Sequence, residues 1–489
     1  MLKNGIYNLV GAVLRLIVVV ATIPLLIRLI GIQEYGLWTI VNAVVSMATL
    51  AEVGLSISTT VFLSKDFAAN DDKAVSETLT IIVGLIVVLA TIASILLWLE
   101  AGLVVKLFRK LTTEEQETAV TAIKLGSVAV WARLLQQVLI GPIQALQRYV
   151  VINIVNTLQT VITNTILLLV AVKGGQTVEL TVGLSAVAFL FFLVFVAINV
   201  ILLRDRLITI RFNRSKFFAI GGYSTLTWTS SLGGQLFSQG DRIIVGSVLG
   251  TTSLGIYAAI TSVTVQITAL TAMAVSPLLP RLSAIWQYRV SKYDLLCIQL
   301  KQATDLNSLV TLGSGSAMFV LGPYFLHLLL PDPITKDTII AFQIATLIYA
   351  VYLLNAVGYY LLFAIDAVRS NLVINFASGI FALLLIAIGA HLGGVVGAIS
   401  GNTGYAASLL FVYYGLRYVG LPFSHWVRWI SIPVIWFFLV VAVNLILNDR
   451  VELRIGIYSL QVLGFLMWFG YSQRELLQAF LRQMQFRSN

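Results

Sequence analysis

The stretch Thr78–Leu99, TLTIIVGLIVVLATIASILLWL, runs for about 20 residues without a charge, and Ser185–Leu203 does the same. That is the length a helix needs to cross about 30 Å of hydrocarbon. In lipid every backbone amide must be paired within the protein, so such runs are helices or strands of a closed barrel. Barrel strands alternate polar and apolar residues, and these runs do not. They are therefore read as membrane-spanning helices. Composition agrees: 59% of the 489 residues are hydrophobic and 11% charged, where a soluble domain is roughly a quarter charged.

The pattern predicts an all-α polytopic protein with about 14 spans. They fall near 7–30, 38–62, 78–99, 119–142, 150–172, 180–203, 219–249, 255–280, 306–330, 338–363, 371–391, 393–416, 427–448 and 454–470. The loops are short and leave no room for a soluble domain. The N-terminus carries Lys3 alone and a long apolar stretch with no small-residue cleavage site, so it reads as the first span and not a cleavable signal. Cys297 is the single cysteine, which excludes an intramolecular disulfide. The net charge of +10 is assigned to loops facing anionic lipid, not to nucleic acid.

Lys and Arg in the loops set the orientation. With the N-terminus inside, about 19 basic residues lie in inner segments against about 7 in outer ones. Both termini are expected to be cytoplasmic, in a bacterial inner membrane. Thr112 and Glu115 can form a capping box that opens span four. Leu103, Leu107, Phe108 and Leu111, beside Lys106, Arg109 and Lys110, suggest a short helix on the outer surface. Ser472 and Glu475 can cap a final amphipathic helix anchored inside by Arg482 and Arg487.

The sequence also repeats itself. Leu29–Trp38, LIGIQEYGLW, resembles Val248–Tyr257, VLGTTSLGIY, at an offset of 250 − 31 = 219. The same offset places Leu63-Ser64 on Leu282-Ser283, Ala145 on Ala364 and Asn156 on Asn375. Two six-helix lobes of one orientation follow, related by an axis along the membrane normal. The expected organisation is a lobe at 1–203, a basic cytoplasmic linker at 204–216, a lobe at 217–417, and spans thirteen and fourteen with a tail at 418–489.

Ionisable groups inside spans are costly and mark function by default, against the plainer readings of snorkelling or a structural ion pair. Arg15 lies about eight residues into span one, and Glu52 lies at similar depth in span two. They either pair or leave Arg15 facing a cavity. Arg28, near the outer end of its helix, is read as snorkelling. Lys124 and Arg133 lie on opposite faces of span four at about 100° per residue. Lys124 is near the outer end and is read as snorkelling. Arg133 is near mid-bilayer with Gln137 one turn on and Gln136 beside it, and it is the foremost site candidate. Asp241 and Arg242 lie toward the outside of span seven, with Lys124 or Arg133 as candidate partners of Asp241.

Two polar stripes follow helical spacing: Asn153, Asn156, Thr160 and Thr163 on span five, and Ser224, Thr227, Ser231, Gln235 and Ser238 on span seven. Each either lines an aqueous cavity or joins helices. Pro24, Gly233 and Gly234 are candidate kinks or gates in spans one and seven. No P-loop, HExxH or nucleophile elbow occurs, and His327, His391 and His425 lack metal-ligand spacing. A transporter without cofactor or metal is expected, not an enzyme.

Several segments resemble the oligosaccharide flippases of the multidrug/oligosaccharidyl-lipid/polysaccharide exporter (MOP) superfamily. These are Asn8, Gly11, Pro24, Gly31, Tyr35-Gly36-Leu37-Trp38 and Glu52-Val53-Gly54-Leu55 at the start, then Gln144–Tyr149, Asp241–Gly246, Leu249-Gly250 and Leu254–Tyr257. The likeness covers about residues 1–415, with Glu52 standing where the family more often has Asp. It implies a MOP/MATE-like fold: two lobes around a central cavity with alternating access. The implied substrate is a polyprenyl-diphosphate carrying a short glycan. Arg15, Arg133 and Arg242 would then hold the diphosphate, since guanidinium forks bind phosphate oxygens bidentately, the polar stripes with Asn156 and Gln235 would hydrogen-bond sugar hydroxyls, and Gln137 would join the substrate-binding residues beside Arg133. Further expected partners are membrane lipids, H⁺ or Na⁺ as coupling ion, and glycan-assembly enzymes. The rivals are a cation-coupled drug antiporter of the same superfamily and a non-transporting scaffold. An antiporter for cationic drugs favours buried carboxylates, whereas span one offers Arg15 and Arg28 and no acid.

Overall fold

The apolar runs become helices that cap themselves with the residues flanking them. The computed structural model describes residues 2–49, 53–275, 282, 285–286, 293–330, 334–365, 367–446 and 451–472. Side chains at 2–10, 12, 13, 53, 226, 227, 229–238, 273, 323, 368, 451, 452, 454 and 455 are outside that description.

The helices run α1 Leu2–Ile30, α2 Ile32–Ala48, α3 Val53–Ala68, α4 Asp72–Lys106, α5 Thr113–Ala145, α6 Tyr149–Val172, α7 Thr177–Leu203, α8 Arg214–Leu249, α9 Thr251–Thr264 and α10 Gln266–Val275. They continue as α11 Tyr293–Leu329, α12 Lys336–Tyr352, α13 Ala356–Ala364, α14 Val368–Gly401, α15 Leu410–Val419, α16 Phe423–Ile446 and α17 Val451–Ser472, with 3₁₀ turns at Leu353–Asn355 and Asn402–Leu409. Among the described residues eight helices are long and apolar enough to cross a membrane. The expected capping box is present: Thr112 Oγ1 accepts from the Glu115 amide, and Glu115 accepts from the Thr112 amide. Asp71 and Asn213 cap α4 and α8 with the side chain alone, Asp71 accepting from the Lys73 and Ala74 amides and Asn213 from the Lys216 amide.

One expectation is corrected, and two helix boundaries are located. The segment expected as a span at 38–62 is helical on both sides of residues 50–52, which lie outside the described residues, in α2 and α3, with α2 starting at Ile32. The outer surface helix expected around Leu103–Leu111 does not form. Residues 103–106 complete α4, and Phe108 and Leu111 are buried in the turn that follows. Their apolar side chains pack into protein instead of lying on a membrane surface. The span expected from 219 begins five residues earlier, where Asn213 supplies a cap. The expected final helix beyond Ser472 lies outside the described residues.

Expected spans at 371–391 and 393–416 meet at a sharp turn inside α14. Gly393 and Gly394 leave helical geometry, and Gly394 has φ 57° and ψ −136°, a region open to glycine. The chain then folds back so tightly that a Cβ on Gly389 would lie 2.0 Å from the Gly397 carbonyl oxygen.

The chain forms two compact units. One comprises Met1–Ala259, Leu328–Pro333 and Ile386–Ala398, the other Ile260–His327, Ile334–Leu385 and Ile399–Asn489. In the first, α5 is central, packing on α2, α3, α4 and α7, while α1 packs on α6 and α3 on α8. Glycines permit the close crossings. A Cβ on Gly54 would lie 2.1 Å from the Ser224 carbonyl oxygen, and one on Gly141 would strike Thr59. In the second unit Leu312, Phe319, Ala350, Leu354 and Phe437 share a core, and Gly315 fits against Ala350 and Phe437.

The 219-residue repeat has a geometric counterpart. Gly31 and Gly250 share a left-handed φ, 83° and 85°, and each starts a helix, α2 and α9. A Cβ on Gly36 would meet the Thr251 carbonyl oxygen at 1.9 Å, and one on Gly255 would meet that of Ile32 at 2.3 Å. Gly36 matches Gly255, and Ile32 matches Thr251, at the same offset. The contact is therefore reciprocal, as about a two-fold axis.

Candidate functional site

Arg15 lies on α1 and is half-buried. Its Nη1 donates to Thr157 Oγ1 on α6 at 2.8 Å. Gly11 makes room for this, since a Cβ there would sit 3.1 Å from that oxygen. Thr157 adjoins Asn156, a member of the expected stripe, whose amide keeps no hydrogen bond among the described residues. Elsewhere in the stripe, Asn153 Nδ2 donates to the Tyr149 carbonyl and Thr160 Oγ1 to the Asn156 carbonyl. Glu52, the other expected partner of Arg15, lies outside the described residues.

Arg133 lies near the middle of α5 and is half-buried. Among the described residues it has neither an ion pair nor a hydrogen bond. Gln136 is turned into the bundle, donating to the Ala188 carbonyl and accepting from Gln159 Nε2 at 3.1 Å. It ties α5 to α6 and α7. Gln137, one turn from Arg133, is exposed. Depth follows from these bonds. Thr157 and Gln159 are two residues apart on α6, and Arg133 precedes Gln136 by three on α5. At 1.5 Å per residue, Arg133 lies roughly 7 Å beyond Arg15 along the bundle.

One expected pairing is corrected. Asp241 pairs with neither Lys124 nor Arg133 among the described residues. It is buried, accepts from Tyr257 Oη at 3.0 Å, and receives the Arg242 amide. A neutral phenol satisfies a buried carboxyl without bringing a second charge into the bundle. Lys124 instead lies over the Trp98 ring, 5.2 Å from its centroid. Ser224, the first member of the span-seven stripe, joins helices: its hydroxyl meets that of Ser58 at 2.7 Å beneath Gly54. Arg242 Nη1 contacts Gln239 at 3.4 Å. The side chain of Gln235 lies outside the described residues. Gly233 and Gly234 lie within α8, and Pro24 lies inside α1.

Sequence reasoning missed a polar seam between α3 and α5. Ser56 Oγ donates to the Gln137 carbonyl at 3.0 Å, and Thr60 Oγ1 donates to Gln144 Oε1 at 2.8 Å. The i, i+4 pair Ser56/Thr60 facing the i, i+7 pair Gln137/Gln144 was the available signal. It also missed a charged clasp. Lys216 Nζ lies 2.8 Å from Asp66 Oδ2, with both side chains largely buried, and donates to the Ala74 carbonyl.

This helical architecture is a fold shared with solved transporters of the MOP superfamily. It resembles the structure of the lipid II flippase MurJ in an inward closed conformation, with TM-score 0.75 and 15% identity over 98% of this chain and 100% of that one. It also resembles an inward-facing multidrug resistance MATE family transporter of the MOP superfamily, with TM-score 0.63 and 16% identity over 84% of this chain and 98% of that one. A third likeness is to a MOP superfamily transporter from Pyrococcus furiosus described as having a binding pocket of reverse polarity, with TM-score 0.55 and 15% identity over 82% and 95% of the two chains. Among curated proteins no sequence matches. The polysaccharide biosynthesis protein family matches residues 1–286, more than half of the chain, and the chain belongs to it. The chain is thus a multi-span helical protein of the polysaccharide biosynthesis family.

Proposed function

We propose that this protein moves a polyprenyl-diphosphate-linked oligosaccharide from the cytoplasmic to the outer leaflet by alternating access, for assembly of a surface polysaccharide. The observation that carries this reading is Arg133, a cation near the middle of a 33-residue helix with no acid beside it among the described residues. A charge at that depth is costly unless compensated, and an anionic ligand compensates it. Arg15 and the amide of Asn156 add a second cation and a hydrogen-bonding group for phosphate and sugar. Gln137 and Arg242 extend the proposed contact surface, with Pro24, Gly233 and Gly234 as bending points.

An interior negative by 100 mV favours outward movement of each anionic charge by about 2.3 kcal/mol. A diphosphate of charge about −2 gains roughly 5 kcal/mol if its whole charge crosses the field. The proposal includes about 14 spans, both termini in the cytoplasm of a bacterial inner membrane, six-helix lobes at 1–203 and 217–417, and a linker at 204–216.

The test is the lipid-linked glycan pool and the surface polymer of a deletion strain. Accumulation of a polyprenyl-diphosphate glycan on the cytoplasmic side, with loss of surface polymer, supports the reading and names the glycan. An unchanged pool together with new sensitivity to cationic compounds replaces it with drug antiport.

A further inference from the structure

Away from the Arg15–α6 surface, a cavity of about 500 Å³ lies between α3, α4, α5 and α7. Its walls are apolar, with Ile82, Ile86, Leu135, Val138 and Val196 among them. The donors at its edge are already engaged, while Asn199 Oδ1 accepts no hydrogen bond among the described residues. Thr59 Oγ1 donates to the Leu55 carbonyl, Trp131 Nε1 to Thr91, and Asn199 Nδ2 to the carbonyls of Leu139 and Phe195. Val83, Val87 and Val200 line it while remaining 41%, 40% and 65% exposed, so it reaches the bundle surface between α4 and α7. Both helices are long and apolar enough to span a membrane, which makes that surface lipid-facing. The volume lies within the range of about 300–1,000 Å³ for small-ligand pockets.

Leu203 and Ile208 line one end of the cavity, where the chain leaves α7 as a strap toward α8. The strap is fastened across the start of α4. The Thr209 amide donates to Ser76 Oγ at 3.2 Å, the Arg211 amide to Thr80 Oγ1 at 3.1 Å, and Asn213 Nδ2 to Glu77 at 3.0 Å. Arg206 lies 2.7 Å from Asp72. Beyond these fastenings the strap presents Leu207, Ile210 and Phe212, which are 83%, 93% and 67% exposed. Arg204 and Arg211 interleave with them. Arg204 meets its neighbour Asp205 at 3.6 Å with both side chains largely exposed, and Arg211 has no carboxylate among the described residues. Exposed apolar side chains among cations fit an anionic lipid interface, with the apolar groups at the acyl boundary and the cations among phosphates.

We propose that the cavity and the strap together bind one anionic glycerophospholipid of the inner leaflet. One acyl chain fills the cavity, and the phosphate sits against Arg204 and Arg211. The placement in the inner leaflet uses the orientation proposed above; the site itself is independent of the transported glycan. The strap's attachment to α4 makes this a resident lipid and not cargo, because nothing large passes beneath a segment held at four points.

The test is native mass spectrometry of the full chain, delipidated and titrated with phosphatidylglycerol or phosphatidylcholine of identical acyl chains. The expected result is at least about tenfold stronger retention of phosphatidylglycerol, in line with roughly 1 kcal/mol per basic residue near an anionic surface. Arg204→Gln with Arg211→Gln abolishes the preference, and Val83→Trp with Val196→Trp lowers retention of both lipids. If the tryptophan pair does not fold, the arginine pair decides alone, since both side chains are exposed. Equal retention of the two lipids, or a preference that survives the arginine substitutions, overturns the proposal. So does displacement of phosphatidylglycerol by equimolar polyprenyl phosphate, which would assign the groove to the carrier lipid.

Discussion

Arg133 and Lys216 show how differently one charge type is handled within one unit. Lys216 has Asp66 at 2.8 Å and a backbone carbonyl, a closed arrangement that holds the chain entering α8 against α3 and α4. Arg133 has nothing comparable among the described residues. Substitutions should separate the two roles. Asp66→Asn leaves a largely buried ammonium without its counter-ion and should cost about 3 kcal/mol, read as a lower unfolding midpoint in detergent. Exchanging the pair, Asp66→Lys with Lys216→Asp, should recover part of that loss. Arg133→Glu should leave the midpoint within about 1 kcal/mol of wild type, because no native partner is lost. It should reduce surface polymer by at least about tenfold at equal expression, the worth of roughly 1.4 kcal/mol of binding. Arg133→Lys should fall between, since an ammonium keeps the charge and loses the bidentate fork. Normal polymer from Arg133→Glu would remove this residue from the site.

Among the helices, glycine sets the distances. Gly54 lets α3 and α8 approach until the Ser58 and Ser224 hydroxyls meet. Gly54→Leu drives a side chain into the Ser224 carbonyl and should cost about 1–3 kcal/mol through overpacking, more than Gly84→Leu, where a Cβ meets nothing within 4 Å. A pair of thermal melts checks the ranking. At the α14 turn, Gly394→Ala should cost about 1–3 kcal/mol, because its φ of 57° with ψ of −136° suits glycine and strains a residue with a Cβ. The reciprocal Gly36–Thr251 and Gly255–Ile32 contacts bring backbone against backbone at the junctions that follow Gly31 and Gly250. Gly36→Ala and Gly255→Ala should therefore lower stability by similar amounts, and unequal losses would mean the two copies no longer carry equivalent loads.

At the scale of the molecule, the distribution of basic residues sets the expected orientation and the substrate's charge sets the driving force. In a Cys297→Ser background, Lys106→Cys and Lys173→Cys should react with a membrane-impermeant maleimide from outside, while Lys65→Cys and Lys73→Cys should react after permeabilisation. The opposite pattern inverts the topology. In proteoliposomes carrying a polyprenyl-diphosphate glycan, outward movement should accelerate as the interior becomes more negative, since each anionic charge gains about 2.3 kcal/mol per 100 mV. A rate independent of potential would mean that the charge crosses already neutralised.

Much of this protein is local, and local properties are written in the chain. Hydrocarbon forbids unpaired amides, so uncharged runs such as Thr78–Leu99 become helices wherever they fall. The Thr112–Glu115 capping box and the Gly31/Gly250 correspondence could be read from spacing, because each depends on a few neighbouring residues. Partner choice could not. Depth along a helix counts residues and made Asp241 a match for Lys124 or Arg133, but it ignores azimuth and neighbours. The fold gave Asp241 to Tyr257 and Lys124 to the Trp98 ring. Ser224 and Asn156 look alike as members of polar stripes, yet one joins helices beneath Gly54 and the other keeps its amide free among the described residues. The apolar cavity beneath the strap is likewise absent from any single segment, since it exists where α3, α4, α5 and α7 fail to fill the space between them. The sequence alone determined that these helices span a membrane and that charge lies within them; packing in three dimensions decided which polar groups are consumed by the structure and which remain for a ligand.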